Sequence, residues 1–146
     1  MSKEAERKFL TARIQARKGD FAFPFSIPNQ NFNIPKNGPY GEFHIVAGGK
    51  SVTKAGHGKG KNRVEYVGFV QMNVWMPKDS GTKVGAEAED LFKAIFQSKV
   101  GRDSAGSVYE FKTIESFTPT TKVGWEVASF RVPYTRTSVE DVQVSI

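Results

Sequence analysis

Apolar residues recur along this chain with two different periods, and the switches between them mark its elements. Near the start, Ala5, Phe9, Ala12 and Ala16 return at helical spacing, and Leu10 and Ile14 form a second ridge. The spacing predicts a helix from Ser2 to about Arg17, with Ser2 as its cap and Glu4 and Glu6 in the positive first turn. Arg13 and Arg17 lie between the two ridges, and Gly19 ends the helix. A helix with two apolar ridges is expected to dock only half of itself on its own chain, or to dock on a neighbouring subunit.

The period then shortens to two. In "DFAFPFSIPNQNFNIPKNGPY", Phe21, Phe23 and Phe25 alternate as in a short strand, but Pro24 keeps that strand at an edge or a bulge. Pro28, Pro35 and Pro39 stiffen the following segment, and Asn37-Gly38 marks a turn. From Tyr40 a strand runs toward Thr53, with Phe43 and Ile45 on one face and Glu42, His44 and Val46 on the other. A second strand, Arg63 to Met76, is apolar on both faces and is therefore expected at the sheet centre. Pro77 stops it, and Asp79-Ser80-Gly81 predicts a turn and a helix cap. A helix follows from about Thr82 to Ser98, striped by Val84, Ala88, Leu91 and Ile95 and widened by Phe92 and Phe96. Gly101 to Gly106 reads as a loop, and residues 107–119 and 124–137 as two more strands. This order predicts an α+β fold: a mostly antiparallel sheet with a long hairpin, one helix packed on it and an N-terminal helix. The chain, 146 residues long, is expected to be a single domain over 1–146, with the helix in 1–18 and a flexible tail over 137–146.

Composition narrows the chemistry. The chain has no Cys and 2 His, which excludes disulfides and thiolate sites and leaves little for zinc. The charged N-terminus and the absence of a long apolar run argue against a signal peptide, a membrane span and a membrane partner. The net charge of +6 is uneven. Residues 1–18 carry +4, residues 50–63 carry +5 through Lys50, Lys54, Lys59, Lys61 and Arg63, and the remainder carries −3. Such basic clusters attract nucleic acid or acidic partners, or simply form a solvated face.

The glycine-rich "AGHGKGKN" at 55–62 looks like a phosphate loop but lacks its parts. Ala55 stands where the first Gly belongs, Asn62 where the Mg²⁺-binding hydroxyl belongs, and a strand follows in place of a helix. It reads as a cationic hairpin tip, with no cofactor. His44 lies mid-strand and His57 in the glycine loop, neither with a tuned partner. Glu87, Glu89 and Asp90 are explained by the helix dipole, and no Ser sits in a nucleophile elbow. The residues give an enzyme no support. A small single-stranded nucleic-acid-binding module is the alternative reading: the five cations would neutralise phosphates, and Tyr66, Phe69 and Trp75 would stack bases. It requires Phe43 and Phe69 to be exposed.

Several short motifs, in order, resemble the tail terminator (tail completion) proteins of long-tailed bacteriophages, the fold group of the lambda minor tail protein U. Pro28-Asn29, Phe32, Pro35 and Pro39-Tyr40 match a P-N-x-x-F-x-x-P…P-[YW] pattern ahead of the first long strand. Gly68, Gln71, Val74 and Gly81 match G-x-x-Q-x-x-V…G, and the helix with Ala88, Leu91, Ile95 and Phe96 and the closing "SFRVPYTRT" agree. The similarity spans about residues 24 to 136. The basic first helix and the lysine-rich tip have no counterpart in the pattern. The resemblance implies a non-enzymatic virion protein at the head-proximal end of the tail, assembled in the host cytoplasm. Its copies would form a homo-oligomeric ring, usually of six, on the last tier of the tube. That ring would stop polymerisation and join tail to head, with tail tube protein, the head-tail connector protein and DNA passing through the lumen as partners. On that reading, Lys50, Lys54, Lys59, Lys61 and Arg63 are candidate contacts with the tube or with lumen DNA. Phe9, Arg13, Arg17, Phe21, Phe23 and Phe25 are candidate contacts between subunits, with core filling an equal alternative for the last three.

Overall fold

The computed structural model describes residues 3–28, 30–55, 61–78 and 82–141, without the side chains of 49–55, 61–63 and 139–141. Ser2, the tip around His57 and Lys59, the Asp79-Ser80-Gly81 turn, Asn29 of the first motif and the last five residues lie outside the described residues. The elements follow in the order α1 (Lys3–Gln15), β1 (Phe25–Ser26), β2 (Tyr40–Ala55), β3 (Lys61–Pro77), α2 (Lys83–Phe96), β4 (Val100–Arg102), β5 (Val108–Phe111), β6 (Glu115–Lys122) and β7 (Trp125–Asp141).

The strands form one sheet in the order β1-β2-β3-β7-β5-β4, with β6 also paired to β7. Among the described residues only β1–β2 is parallel; the other pairings are antiparallel. The fold is α+β, dominated by its sheet. β3 is central, as its two apolar faces predict, and it pairs with β7 from Lys61↔Asp141 to Pro77↔Trp125. The strand expected to end at Thr137 therefore continues to Asp141, because residues 61–65 offer it backbone partners. Two further boundaries differ from expectation. The loop at 101–106 begins as strand β4, paired to β5. The predicted strand over 107–119 divides into β5 and β6, which pair with different halves of β7. Pro119 sits in a register shift of the β6–β7 ladder, where its missing N–H leaves no gap in the pairing.

Both helices lie on the same face of the sheet. α2 lays Ala88, Phe92, Ile95 and Phe96 into the core. Phe92 and Phe96 meet Phe43 edge-on and stacked, at 6.2 and 6.1 Å between ring centroids, and Phe92 also meets Phe130 at 5.2 Å. α1 buries its Leu10–Ile14 ridge, while Phe9 stacks on Tyr109 at 4.4 Å. Arg13 ties the helices together by donating to the Ile95 carbonyl at 2.9 Å. α1 thus docks on its own chain, with Ala12 and Ala16 left exposed.

Under α1 the core turns polar. Glu6 and Arg136 are buried, 4% and 5% exposed, with Arg136 Nε 3.8 Å from Glu6 Oε1. Tyr134 donates its hydroxyl to Glu6 Oε2. Tyr109 donates to Asp103 Oδ2 at 2.8 Å, and Asp103 Oδ1 closes the β4–β5 turn by accepting from Ala105 and Ser107 N–H. Gly68 explains how Tyr134 reaches across: the two are register partners, and a Cβ at 68 would come within 2.8 Å of the Tyr134 oxygen. The glycine leaves the ring room to lie over the strand.

Candidate interaction surface

A sheet with both helices on one side leaves its other face to be accounted for. Tyr40, Glu42, His44 and Val46 of β2 share that face with Val67, Phe69, Gln71, Asn73 and Trp75 of β3, by strand alternation and register. β7 adds Trp125, Val127, Ser129 and Arg131, and β6 adds Phe117. Three groupings cross it. At one end Tyr40 stacks on Trp75 at 5.8 Å with an interplanar angle of 3°, Trp125 meets Tyr40 edge-on, and Trp75 Nε1 donates to Glu42 Oε1 at 2.8 Å. In the middle, Gln71 donates to Asn73 Oδ1 at 2.9 Å and Ser129 donates to the same oxygen at 2.8 Å. Beyond these, the Arg131 guanidinium lies between the Phe69 and Phe117 rings, 4.6 and 5.1 Å from their centroids, and Nε donates to Glu115 at 2.7 Å.

Part of this face is both apolar and exposed. Val46, Val67 and Phe117 are 44%, 46% and 43% exposed, and they adjoin the Phe69–Arg131–Phe117 sandwich. The sequence pattern made this strand apolar on both faces and central; among the described residues no second layer covers the outer face. Val46, Val67, Phe117 and Arg131 were not legible as a surface because alternation reports apolarity, not which side the helices take. The signal was present in the count of elements: two helices on one face leave the other bare.

The candidate subunit contacts divide. Phe21, Phe23 and Phe25 are buried in the core, Phe21 packing edge-on against Phe23 and Phe25 at 5.7 and 5.1 Å. Arg13 is half-buried beside Phe9 and Phe111, and desolvation holds its pKa below the usual arginine value. Arg17 is exposed and paired to Asp20 at 2.6 Å. The candidate cations of the hairpin lie at the far end of β2 and β3. Backbone register sets Lys50 opposite Tyr66, Lys54 opposite Arg63 and Lys61 opposite Asp141, while Lys59 lies outside the described residues.

A nucleic-acid stacking platform does not form on the expected residues. Phe43 is 1% exposed beneath α2, and Phe69 and Trp75 already face Arg131 and Tyr40. Among the described residues no group of three or more His, Asp or Glu could hold a metal ion, and no helix is long and apolar enough to cross a membrane.

The fold has known counterparts. One solved structure superposes with a TM-score of 0.70 over 100% of this chain and 99% of its own, at 21% identity, a likeness of fold. No curated protein matches the sequence significantly. The model of one family, described as phage tail terminator protein, matches residues 7–134, which takes in most of α1, α2 and all the strands up to the middle of β7. The chain therefore belongs to the phage tail terminator protein family, and with it to the structural proteins that complete a phage tail.

Proposed function

We propose that the protein closes into a ring, usually of six copies, on the last tier of the tail tube, where it halts polymerisation and presents the surface that joins tail to head. The observation that carries this reading is the two-sidedness of the sheet. One side is sealed by α1 and α2; the other exposes Val46, Val67 and Phe117 around Arg131. A capping subunit needs that asymmetry, since a face that fits the polymer end must be backed by one that does not, or growth would repeat.

On this proposal the open face and the basic hairpin end meet the tube. Lys54 opposite Arg63 sets two cations at directly paired positions, a concentration of positive charge that is complemented by added negative charge. An acidic tube rim supplies it; DNA in the lumen is the other source, and tube docking is the one favoured here. The helix-bearing side faces the connector. The action is one of fit between surfaces, with no bond made or broken, and it places the protein in the virion at the head-proximal end of the tail.

Size-exclusion chromatography with light scattering, with and without tail tube protein, tests this. The expected result is a ring-sized species when tube protein is present and little oligonucleotide affinity in the monomer. A species that stays monomeric on tubes while binding oligonucleotides in a salt-dependent way would replace the ring with a nucleic-acid-binding module.

A further inference from the structure

The β6–β7 turn contains a residue that neither the turn nor the core favours. Lys122 pairs with Trp125, so Val123 and Gly124 form a two-residue hairpin loop, and both have positive φ, +33° and +81°. Such loops favour Asn-Gly or Gly-Gly, because the first position is left-handed and a β-branched residue is strained there. Gly124 fits; Val123 does not. Its side chain is also 99% exposed, an apolar group held in water on a strained backbone. Strain of this kind is retained where a partner uses the side chain.

The opposite flank of the sheet offers a matching hollow. A cleft of about 320 Å³ lies beside α2, with Phe21, Phe23, Val84 and Leu91 among its walls; Glu87 contributes a carboxylate at its rim, beside Asp20, which Arg17 already pairs at 2.6 Å. Glu87 is exposed and has no ion-pair partner among the described residues. Next to Val123, Lys122 is exposed too, its ammonium 5.8 Å from the Trp75 ring. In the sheet order the hairpin lies beyond β7, whereas the Phe21–Phe23 segment leads into β1 at the other edge.

We infer that Val123 of one copy seats in the Phe21–Leu91 cleft of the next, with Lys122 turning to Glu87. An apolar knob beside a cation fits an apolar hollow beside a carboxylate, so the partner is a second copy of this chain. Knob and hollow differ and sit on opposite flanks, which makes the contact heterologous, the kind that propagates around a closed ring. The inference rests on the ring reading and adds its interface.

The absence of cysteine gives a clean background for testing it. Val123→Cys and Glu87→Cys chains are prepared separately, mixed with tube protein, and treated with a short bismaleimide while light scattering follows the oligomer. Covalent dimers are expected from the mixture and not from either variant alone. Lys122→Glu and Glu87→Lys should each raise the concentration for half-assembly roughly tenfold, and mixing the two exchanges in one chain should recover most of it. Val123→Asn should keep or raise the thermal midpoint while weakening assembly, separating docking from folding. An oligomer of ring size without the Val123–Glu87 cross-link overturns this interface and leaves the ring standing. Cross-links from position 123 to tube protein overturn it as well. No oligomer on tubes removes both.

Discussion

Replacing Glu6 by Ala should be one of the most damaging single changes in α1, and the size of the loss can be worked from its neighbours. The carboxylate accepts from the Tyr134 hydroxyl and lies 3.8 Å from Arg136 Nε, with both charged side chains nearly excluded from water. A hydrogen bond to a charged group contributes about 1.5–3 kcal/mol, and removing one partner of a buried pair costs about 3–5 kcal/mol, most of it from the charge left behind. The two figures describe overlapping losses, so they do not add. Arg136 keeps Ser107 Oγ at 3.5 Å and the Tyr66 ring at 4.1 Å, neither of which neutralises it. The expected destabilisation is therefore roughly 3–5 kcal/mol, or about 8–15 °C in Tm for a chain of this length. Urea unfolding followed by the fluorescence of Trp75 and Trp125 measures it. Glu6→Met combined with Arg136→Met should be milder than Glu6→Ala, because the orphaned charge goes with its partner. A loss below about 1 kcal/mol in Glu6→Ala, or a double variant worse than the single, would refute the reasoning.

Gly68→Ala separates packing from propensity: alanine is the better strand residue, yet its Cβ would lie 2.7 Å from the Val46 carbonyl oxygen and 2.8 Å from the Tyr134 hydroxyl. A loss of roughly 1–3 kcal/mol in urea is expected, and a gain would remove the close-approach explanation. Burial first, and then donation to Asp103 and Glu6, hold the Tyr109 and Tyr134 hydroxyls well above the ordinary tyrosine value of 10.0. Folded values above unfolded ones mean that stability is flat below pH 10 and falls as pH rises beyond it, by about 1.4 kcal/mol per pH unit for each tyrosine. Tyrosinate absorbance at 295 nm should thus appear for these two only as the chain unfolds; titration of all four tyrosines in the folded state would contradict it. Replacing Lys54, Lys59, Lys61 and Arg63 together by Ser should leave the thermal midpoint unchanged and abolish tail capping, and normal tails from that variant would remove the tube contact from the tip.

The long strands, both helices and the class of the fold were legible because each rests on local periodicity: Phe43 and Ile45 two apart, Leu10 and Ile14 four apart. What escaped depends on partners distant in sequence. The division of residues 107–119 into β5 and β6 is dictated by β7, which offers them different halves, and nothing near Lys112 announces it. Phe21, Phe23 and Phe25 alternate like a strand, but only Phe25 pairs; the first two pack beside it and form one wall of the cleft next to α2. The Glu6–Tyr134–Arg136 cluster joins positions more than 120 residues apart, so no motif could carry it. Gly68 was visible as part of a motif, and the structure supplies the reason in the ring of Tyr134. Val123 carried a readable sign, a valine before glycine where Asn-Gly is the usual hairpin turn, whose meaning needed the backbone angle.

Tail length in the presence and absence of the protein tests the central claim most directly. Electron microscopy of particles assembled without this chain should show overlong or headless tails, and adding purified protein to growing tubes should fix their length under a ring-shaped cap. Tubes of normal length, joined to heads without it, would contradict the account.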